Sequence, residues 1–212
     1  MTPEHEQLRL KLRKTLREKR STLQADELAM ADKKLGSNIE QLFQLKQFHQ
    51  KTNRVAGYLA NDGEIPLQHS FEILRTLGLQ TYVPVIRNEI LKFAQLTPQT
   101  AFRTGKFGIA VPVCIEADLL EASAIDVILT PLLAFDSSGN RLGMGGGYYD
   151  RTFAHLHPAN KVAAEAGTGT SKQLFIGVAH AFQKIDHVPI ESWDVPLQYA
   201  ATDCDIFDFS TP

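Results

Sequence analysis

Between Arg141 and Arg151 the chain reads Arg-Leu-Gly-Met-Gly-Gly-Gly-Tyr-Tyr-Asp-Arg, a run of glycines closed at each end by a cation. Glycine takes positive φ at no steric cost and lets a ligand approach the backbone where a side chain would block it. Exposed backbone N–H groups ahead of a helix start form a phosphate cradle. Arg141 and Arg151 add charge of the matching sign, and Asp150 adds a hard oxygen donor suited to Mg²⁺. One segment thus offers a nucleoside triphosphate donors, charge and a metal ligand. Glycine-rich segments are also ordinary turns, and taken alone this one leaves both readings open. It lacks the Gly-Lys-Ser/Thr end of a Walker A loop, and no acidic residue ends a second strand where a dinucleotide fold needs one.

A second concentration of chemistry lies near the start of the chain. Leu8, Leu12 and Leu16 recur every four residues and predict an amphipathic helix over residues 3–20. Its polar side carries Arg9, Lys11, Arg13, Lys14, Arg17, Lys19 and Arg20. Arg9, Arg13 and Arg17 share one face, where like charges repel unless an anion relieves them. A solvated basic face is the other reading. The histidines are scattered with no base-and-nucleophile pattern, and Cys114 and Cys204 are too few and too far apart for a disulfide framework or zinc site.

Other elements must hold these groups. Leu28, Leu35, Ile39 and Leu42 keep helical period to about Phe48. Arg54 to Leu59 reads as a strand, Asn61-Asp62-Gly63-Glu64 as a turn, and Ile65 to Leu77 as a helix with Pro66 in its first turn. Thr81 to Val85 and Leu91 to Ala94 pair as a hairpin. Ile125 to Leu129 is an apolar strand, and Asp136 to Asn140 is a turn before the glycine loop. Tyr148 opens a helix, Leu174 to Ala179 is the last clear strand, and Lys161 to Lys172 reads as a surface loop. Alternating strands and helices imply a parallel or mixed sheet covered on both faces. Ligands in such sheets sit beyond the carboxyl ends of the strands. That rule gathers the turn after Leu59, the glycine loop and the segment after Ala179.

The chain has 212 residues, 43% hydrophobic and 22% charged, the proportions of one soluble globular domain spanning residues 1–212. A net charge of −2 argues against a nucleic-acid partner. No apolar run reaches membrane-spanning length and the first residues are charged rather than signal-like, so a cytoplasmic protein is expected.

Leu132-Leu133-Ala134-Phe135-Asp136, then Gly139-Asn140-Arg141-Leu142-Gly143, then Gly145-Gly146-Gly147-Tyr148-Tyr149-Asp150-Arg151, resembles the signature of the 5-formyltetrahydrofolate cyclo-ligases. The resemblance extends through Gly57-Tyr58-Leu59, Gly63-Glu64-Ile65, Lys106-Phe107-Gly108-Ile109, Ile176-Gly177-Val178-Ala179, Gln183, Val188-Pro189 and Asp194. It implies a three-layer α/β/α fold with a mixed, mostly parallel sheet, as in sugar-phosphate isomerases and CoA transferases. It implies ATP-dependent cyclisation of 5-formyltetrahydrofolate to 5,10-methenyltetrahydrofolate, with Mg²⁺, ADP and phosphate, by phosphorylation of the formyl oxygen. A monomer acting on small molecules is expected, though the sequence leaves the oligomeric state open.

The same resemblance implies roles. Arg9, Arg13 and the run Arg141, Leu142, Gly143, Met144, Gly145, Gly146, Gly147, Tyr148 and Tyr149 would hold ATP. Arg141, Tyr148 and Tyr149 would act in the chemical step. Leu59, Glu64, Phe107, Met144 and Tyr148 would meet the folate, and Asp150 and Asp194 would hold Mg²⁺. Two departures stand out: Arg9 replaces a usual lysine, and Gly146 replaces a lysine that some relatives carry. A sugar-phosphate isomerase or CoA transferase on the same fold is the first alternative, and in the CoA transferase case Glu64 or Glu116 would be the nucleophile. A folate or nucleotide sensor without turnover is the second.

Overall fold

The computed structural model describes residues 3–105, 110–156 and 173–210. Phe107 and the 161–172 segment lie outside the described residues. The basic helix α1 spans Pro3–Ser21, followed by α2 over Ala25–Leu45 and a single turn, α3, over Phe48–Lys51. The second helix therefore stops earlier than its period suggests. Gln47 adopts a left-handed conformation (φ 53°) that turns the chain, and Phe48 then packs edge-on against Phe43.

Seven strands form the main sheet. They are β1 (Arg54–Ala56), β2 (Gln80–Arg87), β3 (Ile90–Gln95), β6 (Val127–Pro131), β9 (Leu174–Ala179), β10 (Tyr199–Thr202) and β11 (Ile206–Asp208). Their order is β11-β10-β9-β6-β1-β2-β3. The five inner strands run parallel, and the edge strands β3 and β11 pair antiparallel with β2 and β10. Two small hairpins, β4 (Phe102–Thr104) with β5 (Ala110–Pro112) and β7 (Ala134–Phe135) with β8 (Arg141–Leu142), stand outside it.

Strand alternation sends side chains to two separate cores. Val127, Leu129, Ile176 and Val178 point toward Leu35, Ile39 and Leu42 of α2 and toward Phe71 and Leu74 of α4 (Gln68–Thr76). Ile128, Phe175 and Ala200 point the other way, against Leu132, Phe135, Phe153 and Leu197. That second layer is built from the one-turn helix α5 (Tyr148–Thr152), the β7–β8 hairpin and short turns. The mixed, mostly parallel sheet expected from the sequence is present, with helical cover much longer on one face than on the other.

Three local expectations need correction. Helix α4 begins at Gln68 instead of Ile65, because Tyr58 Oη donates to the Ile65 carbonyl at 2.8 Å and Ile65 is buried in the core. Asp32 of α2 then caps the new start, accepting from His69 N at 3.2 Å. Strand β1 stops at Ala56, before Leu59. Strands β10 and β11 follow the strand taken as last. The run Tyr-Ala-Ala-Thr is weakly strand-forming by type, but all four residues are buried between neighbouring β9 and β11 and beneath α2.

Candidate functional site

Loops leave the carboxyl ends of β1, β6 and β9 on one edge of the sheet, and α1 lies across all three. Its orientation is set by Leu16, which packs with Ala134, Leu142 and Val188. Helical spacing from Leu16 then turns Arg9, Arg13 and Arg20 inward. The expected apolar face of Leu8, Leu12 and Leu16 is thus only partly right. Leu8 is 45% exposed, whereas Arg20 is 1% exposed and Arg9 8%.

Each inward arginine grips a different loop. Arg9 Nη1 donates to the Pro189 carbonyl at 2.8 Å and to Asp194 Oδ2 at 2.9 Å. Arg13 Nε donates to the Gly143 carbonyl at 3.0 Å. Arg20 Nε donates to the Asp62 carbonyl at 2.6 Å, and its Nη2 reaches Asp62 Oδ2 at 3.3 Å and Met144 Sδ at 3.7 Å. Arg20 Nη1 lies 3.7 Å from Glu64 Oε1 and, though buried, has no hydrogen-bond partner among the described residues. Arg17 also meets Asp62 Oδ2, at 2.6 Å, from an exposed position where such a pair adds little stability.

The β1 loop has a tight turn at Asp62-Gly63 (φ 52° and 72°). A side chain at Gly63 would meet the Arg20 carbonyl at 2.4 Å, so glycine is needed both for the angle and for the approach of α1. Glu64 Oε2 accepts from Asn61 N at 3.0 Å. Behind the turn, His180 Nε2 donates to the Gly63 carbonyl at 3.0 Å, and its ring stacks on Phe182.

The glycine loop hangs from the β7–β8 hairpin. Asp136 is buried there and accepts from Ser138 N, Asn140 N, Asn140 Nδ2 and Val188 N, tying the hairpin to the loop after β9. Arg141 is buried under the loop. Its Nη2 donates to Asp150 Oδ1 at 2.6 Å, its guanidinium lies 5.1 Å from the Phe175 ring centroid, and its Nε has no hydrogen-bond partner among the described residues. Val195 N also donates to Asp150 Oδ1, at 3.2 Å, which brings Asp150 beside the Asp194 segment. Met144, Gly145 and Gly146 are exposed, and Gly147 (φ 64°) starts α5. Leu142 is fully buried against Leu16, so only its backbone faces the loop. Tyr148 lies under the Arg151 guanidinium at 5.0 Å, Tyr149 packs against Phe153 and Phe175, and Leu59 rests on the first core.

Between α1 and these loops opens a cleft of about 420 Å³. Arg13, Lys14 and Arg17 line one side, and Asp62, Leu133 and Met144 the other. Its size is within the range of small-molecule sites, roughly 300–1,000 Å³. The model of the 5-formyltetrahydrofolate cyclo-ligase family matches residues 5–203. The chain belongs to that family. It is 30% identical to the 5-formyltetrahydrofolate cyclo-ligase of Haemophilus influenzae over 194 residues, covering 90% of this chain and 95% of the relative. It is 34% identical to that of Escherichia coli over 158 residues, covering 73% and 80%. The solved 5,10-methenyltetrahydrofolate synthetase of Aquifex aeolicus superposes with a TM-score of 0.72 at 26% identity, over 97% of this chain and 94% of that one. That of Mycoplasma pneumoniae gives 0.69 at 25%, over 92% and 98%.

Within this cyclo-ligase family member the site is electrostatically uneven. Burial raises the pKa of the Glu64 carboxyl, and Arg20 and the Asn61 N–H oppose it. Desolvation also raises the Tyr149 hydroxyl, so it remains a hydrogen-bond donor through neutral pH. Partial burial, then Arg9, lowers Arg13. Asp150 and Asp194 each receive their protein hydrogen bonds on a single carboxylate oxygen among the described residues. The other oxygen of each is a hard donor of the kind Mg²⁺ takes, though each carboxylate is also paired with an arginine and the described residues hold no group of three or more metal-ligating side chains.

The residues marked in the sequence largely converge: Arg9, Arg13, Glu64, Gly143, Met144, Arg141, Asp150 and Asp194 all belong to one contact network. Arg20, Asp62 and His180 were not marked. Arg20 had a signal, since it follows Arg13 by seven residues and returns to the same helical face. Asp62 and His180 had none beyond their types.

Proposed function

We propose that this chain converts 5-formyltetrahydrofolate and ATP to 5,10-methenyltetrahydrofolate, ADP and phosphate. The observation that carries the reading is the convergence of α1 arginines, glycine-loop backbone and the Glu64 turn on one cleft of about 420 Å³. The glycine loop with Arg13 and Arg141 would take the triphosphate. Glu64, Leu59 and Met144 would take the folate, with the Glu64 carboxylate accepting from the donor edge of the pterin. Asp150 and Asp194 would hold Mg²⁺, which neutralises phosphate charge when bound.

The chemistry explains the need for ATP. A formamide carbon is a poor electrophile and its oxygen a poor leaving group. The formyl oxygen attacks the γ-phosphorus and ADP leaves, giving an O-phosphorylated formamide, an iminium phosphate whose carbon is still bonded to its nitrogen. The neighbouring folate amine then attacks the formyl carbon and closes the five-membered ring; its proton leaves with the departing phosphate as the C–O bond breaks. No protein nucleophile is required. The protein supplies alignment and charge, which is the main task in phosphoryl transfer. Tyr148 and Tyr149 would contact the folate at the end of the loop, and Arg141, bonded to Asp150, would supply positive charge beneath the phosphates. The enzyme would act as a cytoplasmic monomer of one domain, on small molecules alone.

The test is the near-ultraviolet absorbance of the conjugated methenyl product after mixing protein with 5-formyltetrahydrofolate, Mg²⁺ and ATP. A signal that requires all three, with ADP in equal amount, supports the reading. Folded protein that binds nucleotide and gives no signal overturns it.

A further inference from the structure

Among the described residues, the largest fully buried side chain belongs to a cation, Arg20. Nothing in the folate reaction assigns it a task. Burial of a guanidinium costs much unless partners repay it. Here the partners are unusual in their distribution. Nε and Nη2 hold Asp62 by carbonyl and carboxylate, Nη2 also meets Met144 Sδ of the glycine loop, and Nη1 faces Glu64 with no hydrogen bond of its own. One buried guanidinium therefore joins α1 to both the Asp62 turn and the glycine loop, and its nitrogen that lacks a hydrogen bond among the described residues faces the Glu64 carboxylate.

We propose that Arg20 is the positioning residue for folate recognition: it holds Glu64 as an aimed carboxylate and ties the Glu64 turn to the glycine loop. The inference rests on the cyclo-ligase reading, and it concerns which residue makes that site selective. Glu64 sits in a pocket that disfavours charge. The groups that face it are Arg20 from α1, Asp62 on its own turn, Tyr58 ahead of the turn and Tyr149 from α5, with His180 bonded to the adjacent Gly63 carbonyl. Among the described residues, Arg20 is the one cation that acts directly on Glu64. Without it, burial and Asp62 both push the carboxyl toward its protonated form, which donates where the pterin also donates. The Gly63 approach to the Arg20 carbonyl fixes the distance between helix and turn, so the pairing is built into the backbone.

The experiment compares Arg20→Met, Arg20→Lys, Glu64→Gln and the Arg20→Met/Glu64→Gln double variant with wild type. It reads KM for 5-formyltetrahydrofolate, KM for ATP, and the acid limb of kcat/KM for the folate. Arg20→Met is expected to raise the folate KM about tenfold or more, the scale of one lost charge-assisted contact, with the ATP KM changed far less. Its acid limb moves to higher pH, because the carboxylate is lost earlier as pH falls. Arg20→Lys keeps the charge and restores the acid limb while recovering only part of the KM. The double variant is no worse in folate KM than Glu64→Gln, since Arg20 acts through Glu64. A folded Arg20→Met enzyme with unchanged folate KM and pH limb overturns the proposal, as do additive losses in the double variant. If Arg20→Met does not fold, the Arg20→Lys KM and pH limb decide it alone. A wild-type protein without turnover is a different result, and it strikes the cyclo-ligase reading instead.

Discussion

Individual side chains in this site are held by pairs that cross between elements. Arg141 is the clearest case, buried beneath the glycine loop and bonded to Asp150. Arg141→Ala is expected to raise the KM for ATP and lower kcat, since a charge-assisted contact is worth about 1.5–3 kcal/mol. It should also lower the melting temperature by freeing Asp150. Initial rates against ATP concentration test the first effect, and an unchanged ATP dependence removes Arg141 from the nucleotide site. Glu64→Gln should weaken folate binding and leave nucleotide affinity near wild type. Its stability carries a sign as well. Because burial raises the folded pKa of Glu64, the wild-type carboxyl favours the fold most at low pH and loses that contribution as pH rises through its folded value. The glutamine variant should therefore melt at or above wild type at neutral pH, and the difference should close on acidification.

At the scale of elements, the β1 turn and α1 depend on each other through backbone contact. Gly63→Ala puts a methyl group 2.4 Å from the Arg20 carbonyl at φ 72°, whereas Gly78 (φ 81°) has no neighbour within 4 Å of such a group. Alanine in the left-handed region costs about 1–2 kcal/mol by itself. Thermal unfolding should show Gly78→Ala paying that cost alone and Gly63→Ala paying clearly more, together with a raised folate KM. Equal losses would mean that α1 gives way easily. The elements themselves were mostly legible. The apolar runs Ile125 to Leu129 and Leu174 to Ala179, and the hairpin formed by β2 and β3, were visible because strand burial is a local pattern of types, although the first strand begins only at Val127 and runs to Pro131. The start of α4 was not, because it depends on the Tyr58 hydroxyl and on Asp32, residues that only the fold brings there.

For the molecule as a whole, α1 acts as the brace of the site. It joins the Asp62 turn, the Gly143 carbonyl and the Pro189–Asp194 segment through four arginines, and Leu16 pins it to the β7–β8 hairpin. Hydrogen exchange should then respond as a unit. ATP with Mg²⁺ is expected to slow exchange in α1, the glycine loop and the Asp62 turn together, while the far helix α2 changes little. Slowing confined to the glycine loop would show that α1 is a cover with no coupling role.

Much of the site could be read from residue order alone. The glycine run with its flanking arginines and Asp150 lies in eleven consecutive residues, so its chemistry is local and needs no fold to be recognised. The inner face of α1 was misread in part for a physical reason. Hydrophobic spacing favoured Leu8, Leu12 and Leu16, but arginines turn inward when carboxylates and carbonyls wait there to repay desolvation, and no pattern along one helix reveals what waits opposite. The same holds for β10, whose alanines form a strand only because β9, β11 and α2 enclose them. Residue types and spacing determined that this chain carries a glycine-rich loop flanked by arginines, a basic helix and an apolar sheet. Tertiary structure decided which arginine meets which carboxylate, since charge pairing depends on burial and distance across the chain.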